Sequence, residues 1–95
     1  MRVVLTAEAR DELREATQWY ALRSPRAAHA FFNAYKHARG LIGSEPERWA
    51  EIEPGVRRVL LPKFPYSLLY ALEGGRAVVL AVKHDKRHPD YWRDR

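Results

Sequence analysis

The spacing of apolar residues changes partway along this 95-residue chain, and that change constrains the fold more than any single motif. Up to Ile42 apolar positions recur every three or four residues; from Val56 onward they follow the rhythm of strands. In the first part Ala9, Leu13, Ala16 and Tyr20 lie on one helical face. Thr6 stands where an N-cap belongs, and Glu8 in the first turn complements the positive end of the helix dipole. This helix is expected to end near Arg23. Ser24-Pro25 restarts the chain, Ser24 as cap and Pro25 at the first helical position, where its missing N–H costs nothing. The second stripe is Ala28, Phe31, Tyr35, Ala38 and Ile42, broadened by Phe32. So short a break between two helices implies an antiparallel hairpin.

Gly43-Ser44-Glu45-Pro46 closes the second helix, and a loop carrying Trp49 and Pro54-Gly55 follows. Strand-like runs cover Arg2–Leu5, Val56–Leu61, Tyr66–Leu72 and Ala77–Lys83. Gly74-Gly75 joins the last two as a two-residue turn, because glycine tolerates the positive φ such turns demand. Leu68 to Leu72 is apolar enough to lie inside the sheet. The expectation is an α+β fold in the order β-α-α-β-β-β: a small antiparallel sheet with the N-terminal helical hairpin packed on one face. Residues 1–95 form one domain, without repeats or low-complexity segments.

An apolar content of 46% with 12% aromatics belongs to a globular chain rather than a disordered one. No apolar run approaches the roughly 20 residues a membrane span needs. Only three apolar residues separate Met1-Arg2 from Thr6, so no signal peptide is read there. The absence of cysteine excludes disulfides, thiolate metal sites and thiol nucleophiles, and points to a cytoplasmic protein. A small domain without such staples is marginally stable, so a bound partner matters to it. Residues 1–56 hold eight Lys/Arg and eight Asp/Glu, whereas residues 57–95 hold nine and four, so the whole formal charge of +5 resides in the C-terminal part. That concentration attracts a polyanion or an acidic protein.

The order of these elements, with the Val56-Arg57-Arg58-Val59 strand, Phe64-Pro65-Tyr66 leading into Leu68-Leu69-Tyr70, and a final strand ending at His84 before Tyr91-Trp92, resembles the RelE/ParE superfamily over nearly the whole chain. Its members are the toxins of bacterial type II toxin–antitoxin modules, also called plasmid-stabilisation proteins. The resemblance implies a growth inhibitor neutralised by a cognate antitoxin. The long hairpin and the last strand ending in His84 look closer to the ParE-like branch, which poisons DNA gyrase. The other branch, RelE-like, cleaves mRNA on the ribosome without metal. There, Tyr91 and Arg58 match expected positions, but Ser67 stands where one arginine is expected, and a second falls at Asp85 or is displaced to Arg87. A third reading is a non-toxic basic module that binds nucleic acid or protein.

Metal-free RNA cleavage needs a base for the 2′-OH, cations for the phosphorane and an acid for the leaving oxygen. His84, Arg87, Tyr91 and Arg58 would supply these if the chain is a nuclease. Lys63, Lys83, Lys86, Trp92 and Arg93 are the candidate contacts to the target or to RNA. His84 reads equally as a histidine hydrogen-bonded at a strand end, and Trp92 as a ring folded back over the sheet. Pro62 and Pro65 bracket a connection that Phe64 and Tyr66 would anchor on the core. Pro89 argues against the helix that His84 and His88 would need to share a metal, and no motif calls for a cofactor. The implied partners are an antitoxin, acidic or carrying an amphipathic segment that wraps sheet and hairpin, and gyrase or the ribosome with its mRNA as target. Free of antitoxin, the chain is expected to dimerise or aggregate.

Overall fold

A computed structural model describes residues 1–95. Its elements are β1 (Arg2–Leu5), α1 (Ala7–Ala21), α2 (Pro25–Ser44), β2 (Glu51–Glu53), β3 (Val56–Leu60), β4 (Tyr66–Glu73) and β5 (Arg76–His84). Thr6 caps α1 by accepting from the Ala9 amide at 3.1 Å. Ser24 does the same for α2 through the Ala27 amide at 3.0 Å, with Pro25 at the helix start. Only residues 22–24 separate the end of α1 from the start of α2, and the Ser24 cap restarting the helix there forces the hairpin that the apolar stripes imply.

The strands form one sheet in the order β1-β5-β4-β3-β2, with β4 at its centre. The fold class is the one expected, and two details differ. The β1 strand pairs with β5 in parallel, Arg2 with Arg76 through Leu5 with Val79, because the hairpin carries the chain back over the sheet before β5 is laid beside it. A short strand, β2, also lies inside the expected loop and pairs with β3 across the Pro54-Gly55 turn, where Gly55 takes a φ of 83°. Three residues are too few for alternation to register in the sequence.

One residue sets the facing of the sheet's working end. Leu69 pairs with Ala81, but Tyr70 pairs with Val79, so Leu80 has no partner on β4. Side chains alternate along a strand, and one extra residue therefore moves everything beyond it to the other face. Ala77 and Val79 face the helices before the bulge; after it Val82 does, while Ala81 faces away.

Both faces are consequently covered. The main core lies between hairpin and sheet, with Phe31, Ile42, Leu68, Tyr70 and Val79 fully buried. Rings organise its lower end: Tyr20 stacks on Phe31 at 5.0 Å, and Phe64 meets both edge-on at 5.0 and 5.4 Å, anchoring the Pro62–Pro65 connection. On the opposite face Val56, Leu69 and Ala81 are covered by Trp92 from the C-terminal tail.

Phe31 and Phe32 are neighbours of the same size with different surroundings, 0% and 40% exposed. Urea denaturation of Phe31→Ala is expected to show a loss of about 3–5 kcal/mol, and of Phe32→Ala under about 1 kcal/mol. Equal losses would contradict this packing.

Candidate functional site

The end of β5 and the tail after it hold most of the candidate residues, and the sheet divides them between two sides. On the helix side, His84 meets Tyr66 edge-on with ring centroids 5.0 Å apart. These two, with Trp19, Tyr20, Glu15 and Arg87, line a cavity of about 420 Å³ between α1 and the sheet. The His84 Nδ1 accepts from the Lys86 amide at 3.0 Å. A neutral imidazole bonded in this way carries its proton on Nε2, so the free edge of the ring donates rather than accepts. As a general base, His84 would first have to give up that turn-closing bond.

Tyr91, in the tail, packs its ring against the far-face cluster and reaches α1 only through its hydroxyl. Its hydroxyl donates to Glu12 Oε2 at 2.6 Å, and the guanidinium groups of Arg87 and Arg95 lie over its ring at 4.2 and 4.8 Å. Burial, and then the Glu12 carboxylate, push the phenol well above its ordinary range. Tyr91 is thus a neutral donor whose proton is already committed.

Glu12, on α1, is the group that ties this corner together. Its carboxylate accepts from the Val82 amide at 3.0 Å, from Tyr91, and from both terminal nitrogens of Arg95 at 2.8 and 2.9 Å. Burial alone would raise its pKa. The bonds from Arg95, Tyr91 and Val82, with the charge of Arg95, outweigh burial and hold it below the usual carboxylate value. The paired β1 strand ends at Leu5 opposite Val79, so the outer edge of β5 beyond that point lacks a strand neighbour. Glu12 takes the Val82 amide there, and Arg95 donates to the Leu80 carbonyl at 3.2 Å. Sequence reasoning passed over Glu12, since one glutamate on a polar helix flank carries no distinguishing signal.

On the far side of the sheet stand Arg58, Lys83 and Arg93. Arg58 pairs in register with Leu69, and Lys83 with Ser67. The structure therefore does not bring Arg58 together with His84, Arg87 and Tyr91. The Leu80 bulge turns His84 toward the helices and leaves Arg58 and Lys83 on the opposite face. With Ile52, Leu60 and the rim of Trp92, these cations line a groove of about 450 Å³. Ser67 donates to Asp85 at 3.2 Å, and the Lys83 ammonium reaches the carbonyls of His84 and Asp85 at 3.2 and 3.5 Å.

Trp92 requires a correction as a contact residue. It is 6% exposed, its indole N–H donates to the Pro89 carbonyl at 2.8 Å, and its ring fills the second core rather than offering a stacking face. Arg93 is held between Glu53 and Asp90. Lys86 is exposed beside His84, and Lys63 is exposed at the tip of a tight turn with left-handed backbone, φ 67°. His88 uses its Nδ1 to accept from the Asp90 amide at 3.1 Å. No three His, Asp or Glu side chains gather as a metal site would require, and no helix is long and apolar enough to cross a membrane.

Residues 3–89 match the family model for the ParE toxin of the type II toxin–antitoxin system, parDE. Among solved structures the chain is similar to one described as the chromosomal ParDE TA system from P. aeruginosa, with a TM-score of 0.75 and 19% identity over 88% of this chain and 95% of that one. At that identity the likeness concerns the fold. No curated protein matches.

The Glu12 cluster makes the tail acid-sensitive in a defined direction. A carboxyl with a lowered folded pKa stabilises the fold above the ordinary glutamate range, and loses that contribution as pH falls through the lowered value. Amide exchange at residues 91–95 is expected to accelerate on acidification below that range in the parent chain. Glu12→Gln should expose the same amides at neutral pH and cost about 1–3 kcal/mol, since Arg95 loses its partner. Slow exchange in the variant would refute the role given to Glu12.

Proposed function

Because the chain belongs to the ParE toxin family of type II toxin–antitoxin systems, we propose that it arrests bacterial growth by binding and inhibiting DNA gyrase in the cytoplasm, and that a cognate antitoxin neutralises it. The family match over residues 3–89 carries this reading. The disposition of the cationic side chains supports it. A metal-free nuclease would need base, acid and phosphate-stabilising cations around one scissile bond. Here Arg58 lies on one face of the sheet and His84 on the other, the Tyr91 hydroxyl is already donated to the Glu12 carboxylate, and the accessible edge of the His84 ring is a donor.

Inhibition by binding makes no such demand. It needs a rigid surface, and the far face supplies one: Arg58 and Lys83 stand around the apolar Leu60, which is 60% exposed, while Arg93 beside them is paired with Glu53 and Asp90. Lys63 and Lys86 extend the positive field at the same end of the sheet. An acidic surface on the target would be steered there, with Leu60 available for the dry centre of the contact.

Expression of the chain alone in bacteria is expected to stop growth, with DNA synthesis falling before RNA and protein synthesis in pulse-labelled cells. His84→Ala should leave the arrest in place. Protein synthesis failing first, with His84→Ala relieving it, would overturn this reading in favour of mRNA cleavage.

A further inference from the structure

The polar tips of four aromatic side chains find no partner inside the protein, and the fold brings all four to one place. Around the cavity between α1 and the sheet, Trp19, Tyr20, Tyr66 and His84 follow one another edge-on, with 4.9, 6.4 and 5.0 Å between successive ring centroids. The two buried residues of the lining, Ala16 and Val82, are short, and about 420 Å³ stays open where longer side chains would fill it. The Trp19 indole N–H, the Tyr20 and Tyr66 hydroxyls and the His84 Nε2 bond to no other group of the chain, and those of Tyr20, Tyr66 and His84 stay open to water. Half-buried Tyr and Trp ordinarily bond their polar ends. Burial raises the pKa of both tyrosines, and Tyr20 adds to the shift of Tyr66, so the two phenols are neutral donors.

The charges of the lining restrict what these donors can meet. The Glu12 carboxylate is committed to Arg95, Tyr91 and Val82. Glu15 and Arg87 enter no ion pair and are the free charges of the cavity. A cationic ligand is poorly served. Trp19, the ring best suited to one, already carries the Arg23 guanidinium 3.1 Å from its centroid, and Arg87 repels a second cation. A phosphate is poorly served as well, since two carboxylates line the cavity and only one guanidinium is free. What remains is a flat, uncharged molecule that accepts along most of its edge and donates at one point.

We propose that this cavity binds a free purine nucleoside, without phosphate, inserted between α1 and the β4–β5 end of the sheet. The ring nitrogens of the base accept from Tyr20, Tyr66 and His84, and its exocyclic amino group donates to Glu15. Its faces rest on the aromatic wall and on the short side chains of Ala16 and Val82. The ribose stays at the mouth, beside Arg87. A cavity of this volume suits a ligand of that size, since small-molecule sites begin at roughly 300 Å³. The site lies across the sheet from the Arg58 groove, and binding there assumes nothing about the target of the chain. A single strand of RNA offers the same bases, but its phosphates would have to pass Glu12 and Glu15.

Calorimetric titration of the full chain with adenosine tests this. A Kd on the order of 10–100 μM is expected. Purine riboside, which lacks only the amino group, should bind roughly tenfold more weakly. Glu15→Ala should weaken adenosine by the same factor and bind the two nucleosides alike. Tyr20→Phe with Tyr66→Phe keeps every ring and removes only unpartnered hydroxyls. That variant should melt with the parent and bind adenosine roughly tenfold more weakly. The Trp19 indole N–H resonance should shift on titration, with those of Trp49 and Trp92 unmoved. No saturable binding at millimolar adenosine, or parental affinity in both variants, would overturn the proposal. Tighter binding of adenosine monophosphate or of an oligoadenylate than of adenosine would overturn it too, and would make the cavity one that reads phosphate.

Discussion

Leu80 is the residue of β5 that no β4 residue opposes, and the surfaces of this molecule follow from it. Before the bulge, Ala77 and Val79 point to the helices; after it Val82 and His84 do, and Ala81 and Lys83 turn to the far face. In an unbroken strand Lys83 would face α1 and Val82 the open face, so an ammonium would take the place of an apolar side chain against the core, where burial is costly. With the bulge, Lys83 joins Arg58 on the open face and Val82 completes the core. A single inserted residue therefore protects the hydrophobic core and gathers the cations of the far face. It also aligns the Val82 amide with Glu12.

Glu12 fixes what remains loose. The C-terminal tail has no regular secondary structure of its own, yet it supplies Trp92, which closes the second core, and Tyr91, which packs against it. A tail of this length is held by few contacts, and the bidentate pair between Arg95 and Glu12 is the strongest of them, both side chains being mostly shielded from water. Arg93 adds a second attachment through Glu53. Helix, sheet edge and tail thus meet at one carboxylate, and the groove around Arg58 keeps its shape because Trp92 is held in place behind it.

Much of the architecture was legible in the residues themselves. Thr6 and Ser24-Pro25 mark the helix starts, the Phe31–Ile42 stripe marks the buried face of α2, and Gly74-Gly75 marks the β4–β5 turn at φ values of 58° and 75°. These are local signals with local causes. What escaped was set by how elements pair rather than by local signals: the parallel β1–β5 contact, the Leu80 bulge within the β4–β5 hairpin, and the Glu12–Arg95 bond. The site suffered most from this. Arg58 and His84 are each placed on a strand correctly, but which face each side chain takes depends on a bulge that periodicity over a short apolar run does not reveal.

The two sides of a small sheet allow separate contacts to be made by separate partners. The far face, with Arg58, Lys83 and Leu60, is the surface assigned to the target. That assignment depends on the chain acting by binding rather than by cleaving RNA. Incubation of the purified chain with DNA gyrase and relaxed plasmid tests that most directly. Supercoiling should fall as the chain is added in micromolar excess, with less inhibition by Arg58→Ala combined with Lys83→Ala. Supercoiling that proceeds untouched at that excess would contradict it.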